Sequence, residues 1–391
     1  MSPVPCIETV VVQPTPFCNI DCRYCYLPTR SDRSVLALPT LEALFQQVFA
    51  SGWAAPQLTL IWHAGEPLVL PVSYYEDAFA AIAALRPPQV QLRHAIQTNG
   101  MLITPQWCEL FRKWQVGVGV SIDGPRDIHD ANRVTRSGRG TFDRTLAGIR
   151  TLQREDIPFH VISVLSGAGL DAPERLFEFY VSEGITDVCF NIEESEGSHV
   201  SGLLGGAELV PRARAFLNRF WTLARADGRI RFIREIDSML GRVFRPQEVH
   251  FGNAQVMPFG MLNMDCHGNV SSFSPELLGL SDARYADYIV GNILHDTLCT
   301  MLHSPAMAAM AADIAAGTEA CRRECGYFSV CGGGSPINKL SENGSFDSTR
   351  TSFCTLVHQI PADLVLEALD RFEHQLDKPR PAVPPALALI A

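Results

Sequence analysis

The first half of the chain alternates two hydrophobic rhythms. Short runs rich in β-branched residues recur at Ile7–Gln13, Leu58–Trp62, Leu92–Gln97, Val116–Ile122, Phe159–Leu165 and Asp187–Ile192. Their near-continuous apolarity predicts strands buried on both faces of a parallel sheet. Between them, Leu41–Ser51, Tyr74–Leu85, Thr104–Trp114, Thr141–Arg154 and Ala172–Glu183 place apolar residues at helical spacing. Thr40 and Thr104 are expected helix caps, and Pro105 suits a first helical position. Repeated β–α units predict an α/β fold, either a barrel or a doubly wound sheet.

The rhythm changes after about residue 195. Gly202–Gly206 reads as a loop, and Val210–Ala226 as a helix whose Phe216, Leu217, Phe220 and Trp221 face a core. From about residue 255 the segments are short and turn-rich. Ala362–Leu376 is an amphipathic helix, and the Pro- and Ala-rich tail from Lys378 is expected to be poorly ordered. No repeat of solenoid length is present.

Composition narrows the class. At 391 residues and 47% hydrophobic, the chain can bury a large core. A formal net charge of -10 argues against a general nucleic-acid binder, because phosphate contacts need a basic surface. No uninterrupted apolar run is long enough for a membrane span. The N-terminus lacks the blocks of a signal peptide, so a cytoplasmic location is expected. In that compartment the twelve cysteines are expected to be metal ligands or buried thiols rather than disulfides.

Cys18, Cys22 and Cys25 follow the first strand at x3 and x2 spacing. Three thiolates on one loop can converge on one metal centre. A four-iron cube with three protein ligands would leave one iron open to an outside molecule, and an open position is what distinguishes reactive metal sites from structural ones. A zinc knuckle with its fourth ligand elsewhere is the alternative. The triplet, with Tyr24 before its third cysteine, resembles the signature of the radical S-adenosylmethionine (SAM) superfamily. That resemblance implies a partial (β/α)6 TIM-like barrel, a SAM-binding [4Fe-4S] cluster held by these cysteines, and reductive cleavage of SAM to a 5'-deoxyadenosyl radical.

Further elements agree with it. Ala64-Gly65-Glu66-Pro67 resembles the family's Gly-Gly-Glu-Pro turn, which holds the SAM amino group, with Ala64 in place of the first glycine. Thr98-Asn99-Gly100 and Ser121-Ile122-Asp123-Gly124-Pro125 resemble elements near SAM and substrate, although Asn-Gly and Asp-Gly also serve as plain turns. Asn191 and Glu193, at the end of the sixth strand, are further wall candidates. The resemblance thus implies SAM contacts at Tyr24, Ala64, Gly65, Glu66, Pro67, Thr98, Asn99, Ser121 and Asn191. Asp123, expected at a strand end facing the cavity, is the candidate proton acceptor, or else a turn former. His63, beside the Gly-Glu-Pro turn, is expected to be a hydrogen-bonded packing histidine, with contact to substrate or SAM as the alternative.

A second cysteine group comprises Cys321, Cys325, Cys331 and Cys354, with Gly332–Gly334 between the last two. It resembles the SPASM and twitch domains, the auxiliary-cluster extensions of peptide-modifying radical SAM enzymes. The spacing departs from the usual SPASM pattern, since Ser335 and Phe273 stand where further cysteines would. One auxiliary [4Fe-4S] cluster is therefore expected, with structural zinc as the alternative. Cys266 is expected to be a free thiol near it. Cys6, Cys108, Cys189 and Cys299 are expected to be buried and apolar in behaviour. The expected organisation is a core barrel over 1–200, a helical bridge over 201–255, an auxiliary-cluster domain over 256–357, and a terminal helix and tail over 358–391.

Asp123-Gly124-Pro125 through His129, Arg133 and Gly138–Phe142, with Cys331–Lys339, resembles maturases of ribosomally made peptides of the GrrM and FxsB type. This implies hydrogen abstraction from a precursor-peptide side chain and an intramolecular carbon–carbon, cyclophane-type crosslink. Epimerisation, thioether formation, formylglycine formation of the sulfatase type, and a zinc-stabilised peptide-binding scaffold stay open. The implied partners are the precursor peptide, an electron donor such as flavodoxin or ferredoxin, and a possible separate leader-recognition protein, because only six residues precede the first strand. Arg212, Arg214, Arg219 and the Arg229–Arg234 segment could form a basic leader-binding surface; a solvated helix face is the alternative.

Overall fold

The computed structural model describes residues 4–195, 199–203, 206, 208–244 and 253–376. The tail from Lys378 lies outside them. Six strands run in parallel and in sequence order: β1 (Ile7–Val12), β2 (Ala54–Trp62), β3 (Gln91–Thr98), β4 (Gly117–Ser121), β5 (Phe159–Leu165) and β6 (Asp187–Ile192). β7 (Phe232–Ile233) extends the β6 edge in parallel. Sequential neighbours mean every crossover turns the same way. That is the topology of a barrel wall, and it decides against the doubly wound alternative.

On the other edge β1 pairs in parallel with β8 (Met261–Met264), after which β9 (Asn269–Ser272) and β10 (Gly291–Asn292) run antiparallel. The C-terminal third therefore grows directly from the strand that leads into the Cys18–Cys25 loop.

The strands lie where the apolar runs predict them, but burial alternates along β2, β3 and β5, so the expected burial on both faces does not hold: one face packs under the helices and the other lines a cavity. Val10, Val12, Leu58, Leu60, Trp62, Val118, Val120 and Val161 are buried. Trp62 packs edge-on against Tyr75 of the helix Val72–Leu85, with ring centroids 5.2 Å apart. The aromatic stripe of the helix Leu209–Asp227 closes the far end, where Phe216 and Phe220 meet Phe190 of β6.

Most helix boundaries fall within three residues of expectation, but Thr40 is not a cap. The helix begins at Leu38, Pro39 occupies its first turn, and Thr40 is buried inside it. Proline's fixed φ starts the helix three residues earlier than a cap at Thr40 would. Thr104 does stand at the N-cap of Pro105–Trp114, without a side-chain hydrogen bond.

The helix Phe142–Arg154 positions part of the site. Thr145 Oγ1 donates to Asn99 O at 3.0 Å, and Gly148 packs on the Gly100 carbonyl. A Cβ on Gly148 would stand 2.0 Å from that oxygen. Gly148→Ala should therefore destabilise the fold by about 1–3 kcal/mol, although alanine is the better helix former. Urea denaturation checks this; equal or higher stability would show that the helix is free to move.

Candidate active site

The C-terminal ends of the parallel strands open into a cavity of about 500 Å3. Cys18, Cys22, Tyr24 and Cys25 line it from the loop after β1, and Ala64, Gly65 and Glu66 from the turn after β2. Thr98 and Asn99, Ser121, and Asn191 with Glu193 and Glu194 follow at the ends of β3, β4 and β6. Segments far apart in the chain thus share one wall, as barrel strand ends do.

Glu66 is the anchor of this wall. Its carboxylate accepts from Leu68 N at 3.0 Å, Thr98 Oγ1 at 2.6 Å and Asn99 N at 2.8 Å, which ties the β2 turn to the end of β3. Burial pushes its pKa up to about 7, against those three hydrogen bonds. Ala64 holds φ +66° and Gly65 φ +118°. A Cβ on Gly65 would lie 2.2 Å from Thr15 O, so only glycine lets the turn lie against the loop that leads to Cys18.

The thiols sit among polar donors. Asn99 Nδ2 stands 4.0 Å from Cys18 Sγ, and Arg133 Nη1 3.9 Å from Cys22 Sγ. Burial raises Cys18 to about 12 and Cys22 to about 11. Thiolates in such surroundings require a cationic metal centre to be stable. Among the described residues no three His, Cys, Asp or Glu side chains converge tightly enough to bind one ion, whereas a four-iron cube spreads its thiolates wider. Three thiols from one loop, open to a cavity with a buried glutamate beside it, fit a cluster with a chelating partner.

Two expectations need correction. Asp123 does not face the cavity. It is 0% exposed, and its oxygens are taken by Arg133 Nε at 3.1 Å, Val164 N at 3.0 Å and the Tyr24 hydroxyl. A carboxylate so saturated organises its neighbours and has no free lone pair aimed at a substrate. Pro67 is also off the wall; it opens a buried single turn, Pro67–Val69. His63, by contrast, lines the cavity, with burial lowering its pKa to about 4 and its Nδ1 without a partner.

Glu276 was not legible as a site residue. It enters the cavity from the turn Pro275–Leu277 after β9, with the Ser274 hydroxyl as hydrogen-bond donor. Burial raises its pKa. Its only sequence signal is an acid after a Ser-Pro pair, and that pattern usually marks a turn.

Cys321, Cys325, Cys331 and Cys354 line a second, smaller hollow. Gly332, Gly333 and Gly334 all have positive φ, and a Cβ on Gly334 would stand 3.2 Å from Cys354 Sγ. The glycines therefore let the backbone wrap the thiols. Cys266 is buried at the β8–β9 turn, and burial raises its thiol to about 12. Phe273 fills its own position fully buried. Cys108 and Cys189 are buried as expected, but Cys6 and Cys299 are exposed. The expected basic surface is already paired, Arg212 with Asp171, Arg214 with Glu367, Arg219 with Glu174, and Arg231 with Asp187.

Comparison with known proteins agrees with this geometry. The profile of the Radical SAM superfamily matches residues 12–180. An uncharacterized protein of Synechocystis sp. is 38% identical, over 92% of this chain and 92% of its own length. The chain belongs to the radical SAM superfamily. It is accordingly an enzyme that uses SAM and a [4Fe-4S] cluster. A serine-type anaerobic sulfatase-maturating enzyme of Bacteroides thetaiotaomicron is 24% identical over 90% of this chain and 87% of that one. In fold, the chain matches the anSMEcpe structure with bound AdoMet at a TM-score of 0.75, covering 94% of this chain and 100% of that one at 17% identity. Streptococcus suis SuiB bound to S-adenosylmethionine matches at 0.60, covering 90% and 77%, also at 17% identity. No helix among the described residues is long and apolar enough to cross a membrane.

The raised pKa of Glu66 has a consequence for the metal-free protein. The folded chain holds this proton more tightly than the unfolded chain, so the contribution is full below about pH 4.5 and is lost as pH rises to about 7. Glu66→Gln removes that step. The variant should gain on the parent between those values, on the order of 3 kcal/mol, in paired urea denaturations. A difference independent of pH would mean that Glu66 is not held in a desolvated site.

Proposed function

We propose that this enzyme is a maturase of a ribosomally made peptide and joins two of its side chains through a carbon–carbon bond of the cyclophane type. The observation that carries the reading is the shared cavity: three thiols and Glu66 at one end, and an acidic wall of Glu193, Glu194 and Glu276 around the remaining space. Cys18, Cys22 and Cys25 would hold the SAM-binding cluster, with Glu66, Thr98, Asn99, Ser121 and Asn191 on the SAM side. The second hollow would hold one auxiliary cluster on Cys321, Cys325, Cys331 and Cys354. Two similarities support a peptide or protein substrate: sulfatase-maturating enzymes among the relatives, and a SuiB structure bound to the precursor peptide SuiA.

When bound, the cluster and SAM would supply the radical chemistry for removal of one hydrogen as an atom, and the auxiliary cluster would supply the acceptor for the electron left when the other departs as a proton. The chain's own residues do the remainder. Glu66 and the Ala64–Gly65 turn orient the cofactor end of the cavity. Arg133, Asp123 and Tyr24 hold the thiol loop against β4 and β5. Glu276 takes the place expected for Asp123: it reaches the cavity, and its raised pKa suits it to accept a proton.

Formylglycine formation is the second reading, favoured by the names of the sulfatase-maturating relatives. Against it stands the single cysteine quartet, with buried Phe273 where the resemblance implies a ligand for a second auxiliary cluster.

Anaerobic co-expression with a candidate precursor separates these readings by mass spectrometry. Crosslinking removes two hydrogens and leaves fragments that stay joined. Formylglycine from serine removes two hydrogens too, but the fragments separate and the product reacts with hydrazines. An unchanged mass with inverted stereochemistry would overturn both in favour of epimerisation. Glu276→Gln should lower the yield of crosslink by about 10²–10⁴-fold while deoxyadenosine is still released. Full crosslinking by that variant would remove Glu276 from the mechanism.

A further inference from the structure

Lys339 is among the most completely buried side chains of the molecule, at 2% exposure. It lies on the helix Pro336–Asn343, directly after the glycine run, in a segment where Pro336, Ile337 and Asn338 are buried as well. Its side chain packs with Cys354 against Gly334, a residue of the second hollow's wall. Lys339 Cε lies 3.9 Å from the point where a Cβ on Gly334 would stand, and Cys354 Sγ lies 3.2 Å from the same point. Among the described residues no carboxylate forms an ion pair with it. The charged groups at the rim of this hollow, Glu324 and Arg350, are exposed and of opposite sign.

A lone buried cation is costly unless something anionic shares its site. A metal cluster on four thiolates carries net negative charge, and that charge is the counterpart the lysine lacks.

The other cysteine site makes an informative contrast. It too has a buried cation beside a thiol, Arg133 at Cys22, but there Asp123 neutralises it at 3.1 Å. One site therefore receives a compensated charge and the other an uncompensated one. Positive charge favours the more reduced, more negative state of a cluster. We propose that Lys339 is a positioning charge that raises the reduction potential of the auxiliary cluster, so that this cluster accepts an electron while the SAM-side cluster remains a strong donor. The inference rests on the assignment of Cys321, Cys325, Cys331 and Cys354 as ligands.

The neighbouring residue supports a link between the two sites. Asn338 Nδ2 donates to Glu194 Oε2 at 2.6 Å, and Glu194 lines the SAM-side cavity. Two consecutive residues of one helix thus touch the walls of both hollows, so the helix fixes the auxiliary site relative to the place where a product radical would form.

The test is an anaerobic redox titration of the auxiliary cluster, followed by electron paramagnetic resonance. It is run on the full chain carrying Cys18→Ala, Cys22→Ala and Cys25→Ala, so that only that cluster contributes. With Lys339 intact, this chain should bind about four irons. Lys339→Met should keep the iron and move the midpoint to more negative potential, and Lys339→Arg should restore it. Loss of iron in Lys339→Met alone, with retention in Lys339→Arg, also supports the charge. An unchanged midpoint in Lys339→Met overturns the proposal, and so does iron loss in both variants, which would make the lysine a packing residue. If the chain with Lys339 intact binds no iron, the assignment of the quartet fails, and the proposal fails with it.

Discussion

One buried carboxylate holds the candidate site together. Asp123 accepts hydrogen bonds from Arg133, from the backbone of Val164 on β5, and from Tyr24 on the cysteine loop. A loop bearing three thiols has little apolar surface of its own to bury, so its position must come from polar contacts to rigid strands. Asp123 provides them, and Arg133 passes the connection on to Cys22. The charge of Asp123 is affordable in the interior only because the guanidinium and two further donors surround it. His129 and Thr141 extend the network: His129 Nε2 meets Thr141 Oγ1 at 2.9 Å, and that hydroxyl lies 2.8 Å from Arg133 O.

The same constraint explains the division of labour among the acids. The oxygens of Glu66 hold the turn after β2 to the end of β3, and those of Asp123 hold Arg133, β5 and the cysteine loop. Both carboxyl groups are structural in this arrangement, and both are placed where a barrel concentrates strand ends. Glu276 has fewer partners and looks into the cavity from a different part of the chain. Chemistry that needs an available lone pair is therefore best served by the residue that contributes least to holding the wall.

The C-terminal third is continuous with the barrel sheet through the pairing of β8 with β1. The second cysteine hollow is in turn joined to the first cavity through Asn338 and Glu194. A shared sheet plus a buried helix fixes the separation of the two cysteine sites more reliably than a linker would. The contrast between a neutralised Arg133 and an uncompensated Lys339 is what gives the two sites different electrostatic character.

Much of this was legible in the chain itself. Short runs rich in apolar and β-branched residues mark strands, so β5 and β6 were located to the residue. The cysteine triplet and the Gly-Glu-Pro turn stand out by local spacing, because each lies within one short segment, while the quartet is gathered from several segments between Cys321 and Cys354. The direction in which a single acid points is not a local property. Asp123 follows strand β4 and Glu276 lies in a short turn, yet the first is enclosed by a strand, an arginine and a tyrosine from three separate segments, while the second reaches a cavity built almost entirely by residues more than eighty positions earlier. The ambiguity between barrel and doubly wound sheet likewise lay in strand order, which hydrophobic period does not encode. Local sequence determined the elements and the two cysteine groups; packing of distant segments decided which charges serve structure and which face the cavity.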